Sequence, residues 1–410
     1  MTDDPAAADV PSPARRALLP LPPDPPGEGW GEGGTLAIYI HWPFCRSKCP
    51  YCDFNSHVRE SIDEDRWRNA YLRELDGFAA ETPGRPVTSV FFGGGTPSLM
   101  EPATAAAILD RIAARWPPGA GLEVTLEANP STAEAARFRG FRDAGVDRIS
   151  IGVQALDDDA LRFLGRGHSA ADARAAVMLA SRVFPRFSLD LIWGWPGHGV
   201  ADWRRQLRAA LAIAGEHVSA YQLTIEPGTA FWRDGVPALE EDASADLFET
   251  TRELLAGAGL PAYEISNHAR QGAECRHNVA VWRGADYLGI GPGAHGRLSR
   301  DDYTEATRAI KSPEKWLAKV EAGVGGLAEQ VPLTAKERRE ELLLLGLRLS
   351  EGLRRHEFRA IAGMEPQEAV DAGALTRLIE AGFLEIDDAG LRATSAGQLC
   401  LNTVLSQLLA

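Results

Sequence analysis

From residue 35 onward, short apolar or β-branched segments alternate with longer segments in which apolar residues recur every three or four positions. Six segments have the composition of strands, at 35–42, 89–94, 122–129, 148–154, 187–195 and 217–224. This alternation predicts parallel strands joined by helical crossovers, and therefore an α/β fold. Six units are too few for a closed eight-stranded barrel, so the pattern favours a partial (β/α)6 barrel. A doubly wound open sheet is the alternative.

After about residue 300 the pattern changes. Segments 334–353, 369–382 and 395–409 have helical periodicity, and 383–394 resembles two short strands around a turn. Helices followed by a small hairpin predict a smaller, winged-helix-like α+β domain. We therefore expect a barrel domain over 35–300 and a C-terminal domain over 301–410.

The first 34 residues differ from the rest, with eight prolines and five glycines. Such a segment buries too little apolar surface to offset the entropy of ordering it. It also lacks the basic start and apolar stretch of a signal peptide. We expect residues 1–34 to form a disordered extension.

Charge and cysteine content exclude several classes of function. A net charge of −14 argues against a broad nucleic-acid interface, which needs a basic face. The C-terminal part, 311–410, carries 12 basic and 15 acidic residues, so a DNA-reading winged helix is disfavoured. No apolar run approaches the ~20 residues that span a bilayer. Five cysteines, three of them within eight residues, do not resemble a disulfide framework. A reducing cytoplasm is the expected location, with no membrane insertion.

Polar residues cluster at the carboxyl ends of the predicted strands, where chemistry gathers in parallel α/β folds. They are Cys45, Cys49 and Cys52 after the first strand, Gly93–Pro97 after the second, Glu127 and Asn129 at the third, Gln154 at the fourth and Asp190 within the fifth. This common placement predicts a single site.

The stretch "CRSKCPYC" places Cys45, Cys49 and Cys52 within reach of one metal centre. A zinc ion would need a fourth ligand, which His41 or His57 could supply. A 4Fe-4S cluster can instead be held by three cysteines, leaving one iron open to an exogenous ligand. The cysteine spacing alone leaves both interpretations open.

This motif, following "AIYIHWPF" and accompanied by "GGGTP", resembles the radical S-adenosylmethionine (SAM) superfamily. The resemblance implies a 4Fe-4S cluster whose open iron is chelated by the amino and carboxylate groups of SAM. The small molecule, rather than a further side chain, then completes the coordination.

Longer stretches resemble a narrower group, the oxygen-independent coproporphyrinogen III dehydrogenases and the related HemW-type heme chaperones. They include "FFGGGTPS", "TLEANP", "SIGVQALDDDALRFLGRGHS", "DLIWGWPG" and "YLGIGPGAHG", and the resemblance covers about residues 35–410. It implies that Tyr39 and Tyr51 flank the cluster and contact SAM. It also implies a SAM pocket formed by Gly94, Gly95, Thr96, Glu127, Gln154, Arg166 and Asp190.

Two features favour the chaperone over the dehydrogenase. The dehydrogenases share a further cysteine two places after the third, where this chain has Phe54. The stretch "ECRHNVAVWRG" resembles the chaperones' heme-binding segment, which implies that His277 ligates heme iron and Trp282 packs on the macrocycle. Val281 departs from that pattern, in which Tyr is usual. Cys275 and His295 are competing ligands.

The resemblance thus implies a chaperone that binds heme, a 4Fe-4S cluster and SAM, and transfers heme to acceptor proteins such as membrane respiratory enzymes. Because the chain is acidic and shows no anchor, its contact with a membrane would be peripheral or protein-mediated, and we expect a monomer or a dimer. One alternative is a coproporphyrinogen III dehydrogenase, which cleaves SAM to a radical that attacks propionate side chains. Another is a radical methyltransferase or other tetrapyrrole-modifying enzyme.

Overall fold

The computed structural model describes residues 34–409, so the extension predicted for 1–34 lies outside the described residues except for Gly34. The strands of the described part are β1 Leu36–Trp42, β2 Phe44–Cys45, β3 His57–Val58, β4 Val87–Gly94, β5 Pro118–Ala128, β6 Arg148–Gln154, β7 Arg186–Trp193, β8 His217–Gln222, β9 Asn267–Ala269, β10 Tyr287–Ile290, β11 His295–Ser299, β12 Thr304–Ala309, β13 Leu327–Leu333, β14 Leu353–Arg354, β15 Leu384–Ile386 and β16 Gly390–Ala393. The helices are α1 Glu64–Glu81, α2 Pro102–Arg115, α3 Thr132–Ala135, α4 Phe138–Asp143, α5 Asp158–Phe163, α6 Ala170–Val183, α7 Val200–Leu211, α8 Ala230–Arg233, α9 Glu241–Gly257, α10 Arg276–Trp282, α11 Pro313–Glu321, α12 Ala335–Gly346, α13 Arg355–Ala362, α14 Ala372–Glu380, α15 Ser395–Leu399 and α16 Leu401–Leu408.

An eleven-stranded sheet organises residues 36–333, in the order β13-β12-β11-β10-β1-β4-β5-β6-β7-β8-β9. The six strands predicted from the sequence are β1 and β4–β8, and they run parallel in consecutive spatial order. The partial (β/α)6 barrel is therefore confirmed. The prediction missed β10, which pairs parallel with β1 on its other side, and the antiparallel strands β9 and β11–β13. These strands lie on both flanks of the parallel set.

The crossover helices bury one face against the sheet. Helix α1 buries Trp67, Tyr71 and Phe78, and the ring of Trp67 stacks on Trp316 with centroids 5.6 Å apart. Helix α6 begins with a capping box between Ser169 and Asp172, which satisfies backbone donors at its first turn. None of the helices within residues 34–409 combines the length and apolar character needed to cross a membrane.

The C-terminal region has a hydrophobic core of its own, formed between α12 and α16. Its small sheet has the order β14-β16-β15, and the predicted hairpin corresponds to β15 and β16. The single last helix predicted over 395–409 is instead two helices, because Cys400 leaves helical backbone (φ −116°, ψ 34°). The barrel sheet continues to Leu333, and the domain boundary at residue 300 stays a prediction.

The C-terminal module, defined here as residues 334–409, packs against the barrel beside α10. Arg338 donates to the carbonyl oxygen of Gly284, and the Ser350 hydroxyl donates to that of Ala262 at 2.9 Å. An ion pair joins Arg297 of the barrel to Glu341 of the module at 2.7 Å. These contacts place the end of α12 next to the interior of the barrel.

Candidate functional site

The cysteine loop is anchored where β1 ends. Strand β2, which contains Cys45, pairs with β3 in a two-stranded ribbon. Backbone N–H groups of Gly95 and Thr96 donate to the carbonyl oxygens of Trp42 and Phe44, at 2.7 and 2.8 Å. These bonds hold the loop after β4 against the cysteine loop. The two loops meet because they follow β4 and β1, which are neighbours in the sheet.

Each thiol of the loop has one polar side chain beside it. The pairs are Thr96 Oγ1 and Cys45 Sγ at 3.4 Å, Arg166 Nη1 and Cys49 Sγ at 3.3 Å, and Ser56 Oγ and Cys52 Sγ at 3.5 Å. Burial raises the pKa of Cys45, and the neighbouring thiols Cys49 and Cys52 raise it further. Hydrogen bonds to sulfur are among the features that tune iron–sulfur clusters, so this surrounding suits three cluster thiolates.

A mononuclear metal site has less support in the residues present. Within residues 34–409, no group of three His, Cys, Asp or Glu side chains is close enough to hold a single ion. Both ring nitrogens of His41 are engaged, Nδ1 with the Tyr39 hydroxyl at 3.1 Å and Nε2 with the carbonyl oxygen of Asn55 at 3.0 Å. His41 is therefore not free to complete a mononuclear site with the three cysteines.

The glycines after β4 are required by the packing of the protein itself. Gly94 has φ 110°, and a Cβ there would lie 2.7 Å from the imidazole ring of His41. A Cβ on Gly95 would lie 2.6 Å from the carbonyl oxygen of Phe44. These glycines allow the loop to lie directly on the end of β1.

Two acidic side chains face each other inside the barrel, at β5 and β7. Glu127 accepts a hydrogen bond from the backbone N–H of Gly94, and burial together with the charge of Asp190 raises its pKa to about 8. Asp190 accepts hydrogen bonds from the Ser150 hydroxyl at 2.9 and 3.0 Å, and burial raises its pKa as well. A buried acidic pair of this kind suits a ligand that brings an ammonium or hydroxyl groups.

Arg166 lies at the centre of a second group of polar contacts near the cysteine loop. Its guanidinium donates to the amide oxygen of Asn129 and to the carbonyl oxygen of Gly152, and lies 3.4 Å from the Tyr51 hydroxyl. Its Nε is buried without a hydrogen-bond partner among the described residues. The side-chain oxygen of Gln154, whose φ of 65° is unusual for a residue other than glycine, is equally unpartnered. Buried polar groups rarely stay unpaired, so these atoms fit a polar ligand such as SAM.

Most of the residues that the family resemblance assigns to the SAM pocket lie near one another in the structure, and their role there stays a prediction. The structure brings Tyr51, Gly94, Gly95, Thr96, Glu127, Gln154, Arg166 and Asp190 to the region of the three cysteines. Asn129 lies in the same region, as its position at the end of a predicted strand indicates, although the family resemblance did not include it in the SAM pocket. Its side-chain amide donates to the Thr96 hydroxyl at 3.2 Å.

A cavity of about 430 Å³ lies on the other side of Tyr39 and His41. Helix α10 presents four neighbouring residues to it, and further walls come from β1, β8, β10 and the end of α12. The lining includes Tyr39, His41, Tyr221, Glu264, Asn267, His277, Asn278, Val281, Trp282, Tyr287, His295 and Arg348. Its size is in the range of small-molecule and cofactor sites.

His277 is held rigidly in the wall of this cavity. Its Nδ1 lies 3.1 Å from the Ser89 hydroxyl, and its ring packs against Tyr39 and Phe91 at centroid distances of 6.1 and 5.1 Å. Burial lowers the pKa of His277 to about 4, so the imidazole is neutral at neutral pH. In the tautomer that carries its proton on Nδ1, directed at Ser89, the ring keeps a lone pair on Nε2. That is the form in which histidine ligates a metal.

The competing ligands are placed less favourably. Cys275 does not line the cavity, and burial raises the pKa of its thiol to about 11. His295 lines the cavity but is exposed to solvent at the start of β11. Val281 and Trp282, which follow His277 on α10, line the cavity with it.

Tyr39 links the cavity to the cysteine side of the barrel. Its hydroxyl hydrogen-bonds to His41, whose ring fills the space beside Gly94. Burial, together with the charge of Glu127, raises the pKa of Tyr39. Two neighbouring sites therefore share a wall. Sequence reasoning gave no signal for Ser89, Glu264 or Arg348, because each meets the site through a contact between distant parts of the chain.

Comparison with known proteins gives matches over nearly the whole chain. The Radical SAM superfamily model matches residues 39–209, and the HemN C-terminal domain model matches residues 333–400. The mitochondrial radical S-adenosyl methionine domain-containing protein 1 of Bos taurus is 39% identical over 388 residues, covering 91% of this chain and 87% of that protein. The heme chaperone HemW of Escherichia coli is 39% identical over 378 residues, covering 92% of this chain and 98% of that protein.

A solved structure agrees in fold. The coproporphyrinogen III oxidase HemN from Escherichia coli, a radical SAM enzyme, matches with a TM-score of 0.77 at 19% identity. The match covers 93% of this chain and 91% of that chain. At this identity, the likeness describes the shared architecture alone.

Proposed function

The chain belongs to the family of the heme chaperone HemW and the mitochondrial radical S-adenosyl methionine domain-containing protein 1, and from this premise we propose that it binds heme and passes it to acceptor proteins. The observation that carries the proposal is the cavity of about 430 Å³ that His277, Val281 and Trp282 of α10 line together. It combines a neutral imidazole with apolar and aromatic walls, as a heme site requires.

We assign His277 as the iron ligand. Neutral imidazole is the usual axial donor, and the hydrogen bond to Ser89 orients the ring. The exposed His295 is the alternative ligand within the cavity. Val281 replaces the tyrosine usual in the family and offers an apolar contact to the macrocycle face.

The second site is assigned to a 4Fe-4S cluster and SAM, which together supply one-electron chemistry when bound. Cys45, Cys49 and Cys52 would hold the cluster. Around SAM we place Tyr39, Tyr51, Gly94, Gly95, Thr96, Glu127, Gln154, Arg166 and Asp190. The unpartnered atoms of Gln154 and Arg166 and the buried acidic pair support this assignment.

Transfer of heme to membrane respiratory enzymes from the cytoplasm is the further part of the proposal. The net charge of −14 favours acceptors with basic docking surfaces over anionic lipid.

The test is an anaerobic heme titration of cluster-reconstituted protein, followed by absorbance, with His277→Ala and His295→Ala in parallel. We expect saturable one-to-one binding that His277→Ala weakens on the order of tenfold to a hundredfold. His356→Ala is the matched control, because His356 lies 73% exposed in the C-terminal module.

Three results would overturn the proposal or part of it. Absence of saturable heme binding by the wild-type protein would remove the chaperone assignment. If heme binding were lost only in His295→Ala, the iron ligand would be His295 rather than His277. Formation of protoporphyrinogen from coproporphyrinogen III by the same preparation would identify an enzyme of the dehydrogenase type instead.

A further inference from the structure

One corner of the cavity is formed by the C-terminal module. Arg348, just after α12, reaches the cavity wall, and its guanidinium lies over the ring of Trp282 at 4.5 Å from the centroid. The module thereby contributes a cationic group to a space otherwise built by the barrel. Trp282 is itself one of the α10 residues that line the cavity with His277.

The hydrogen-bonding capacity of Arg348 is only partly used. Its Nη2 lies 3.3 Å from the Oε2 atom of Glu264, which is longer than the roughly 2.7–2.9 Å of a strong charge-assisted bond. Its Nε is buried and has no hydrogen-bond partner among residues 34–409. A guanidinium offers five donors in a planar fork that matches a carboxylate.

Glu264, in contrast, is well bonded by other groups. Its Oε1 accepts hydrogen bonds from the Ser266 backbone N–H at 2.8 Å and from the Asn267 amide at 2.7 Å. Its fully buried carboxylate also interacts with the charge of Arg252, which donates to Gln398 of the C-terminal module. The buried negative charge of Glu264 is therefore stabilised by groups other than Arg348 as well.

The charge balance at this corner favours an additional anion. Two guanidiniums, those of Arg252 and Arg348, face one carboxylate, that of Glu264. His268, the nearby buried histidine, adds no positive charge, because burial and Arg252 lower its pKa to about 4. One ligand carboxylate would neutralise the surplus positive charge beside Arg348, whose side chain is 32% exposed.

We propose that Arg348 binds a propionate carboxylate of the tetrapyrrole ligand, so that the C-terminal module forms part of the cargo site. The inference rests on the proposed heme binding and adds a recognition element to it. His277 and Arg348 line the same cavity, with Trp282 in contact with the guanidinium, which provides separate contacts for the iron and the carboxylate. Ligand contacts from both parts of the chain make the cavity sensitive to how the module is docked.

The experiment compares heme with heme dimethyl ester, whose carboxylates are masked, in anaerobic titrations of the cluster-reconstituted full chain. Wild type, Arg348→Gln and Arg348→Lys are measured. We expect wild type to bind heme about ten- to a hundredfold more tightly than the ester, and Arg348→Gln to bind both equally. Arg348→Lys restores part of the preference, because it keeps the charge but loses the planar fork.

Arg297→Gln is the matched control, because Arg297 pairs with Glu341 across the same contact between barrel and module without lining the cavity. It should keep the preference for heme over the ester. Equal weakening of both ligands in Arg348→Gln would overturn the inference and indicate a structural role. Equal affinity of wild type for both ligands would also overturn it, while leaving the proposed function intact. Absence of saturable heme binding by wild type would overturn both.

Discussion

The Nδ1 atom of His277 lies 3.1 Å from the hydroxyl oxygen of Ser89, which is 188 residues earlier in the chain. Both side chains are buried, Ser89 in a parallel strand and His277 in the short helix α10. The contact fixes the imidazole ring against the barrel wall. The Ser89 hydroxyl can accept a hydrogen bond from Nδ1–H, and in that tautomer Nε2 is free for a ligand.

Replacing Ser89 with Ala should therefore weaken heme binding without removing the ligand. We expect the affinity for heme to fall about tenfold. That is the lower end of the effect of removing a group that hydrogen-bonds to a metal-bound histidine. Absorbance titration measures it. Thr88→Ala is the control, since its neighbouring position places the side chain on the opposite face of β4. Equal losses in both variants would contradict a specific role for Ser89.

The three loop cysteines should each be essential for the cluster. Replacing Cys45, Cys49 or Cys52 with Ala removes a thiolate that no other cysteine near the loop can replace. We expect the cluster absorbance and the iron content of each reconstituted variant to fall to background. Cys400→Ala, in the C-terminal module, should reconstitute like wild type. A full cluster in any of the three loop variants would refute the assignment of that cysteine.

Gln154 should show opposite effects on stability and on ligand binding. Its φ of 65° costs a residue other than glycine about 1 kcal/mol or more, which Gln154→Gly relieves. We expect Gln154→Gly to unfold at the same temperature as wild type or higher, yet to bind SAM roughly tenfold more weakly. Gln154→Ala keeps the backbone strain and should be the less stable variant. Thermal unfolding and SAM titration measure the two effects, and equal stability of the Gly and Ala variants would argue against strain at this position.

Acid should destabilise the protein partly through His268. Its folded-state pKa of about 4 lies below the ordinary value near 6.5, so below pH ~6.5 the unfolded chain binds a proton that the folded chain does not. The free energy of unfolding therefore falls as the pH drops from about 6.5 towards 4. When the pH falls from 7 to 5, the free energy of unfolding should drop less in His268→Phe than in wild type. The difference between the two drops should be up to about 2 kcal/mol. Urea unfolding at both pH values measures this, and parallel losses in the two proteins would contradict it.

Much of the architecture was predictable from local pattern. Alternation of β-branched strands and amphipathic helices identified β1 and β4–β8, because burial of one helix face and of both sheet faces imposes distinct periodicities. The side strands β9 and β10, only three and four residues long, carry too little periodicity to be identified. Their place in the sheet depends on pairing with strands distant in sequence.

The cysteine site could be predicted from such local patterns, whereas the cavity beside α10 could not. The sequence by itself determined the cysteine loop and its neighbours, since the carboxyl ends of adjacent parallel strands must meet and bring Glu127, Gln154 and Asp190 towards the cysteines. Only the tertiary structure decided that His277 meets Ser89 and that Arg348 reaches the cavity beside α10. Those contacts depend on how a short helix and a separate module pack on the barrel, and packing between distant segments leaves no periodic signal in the chain.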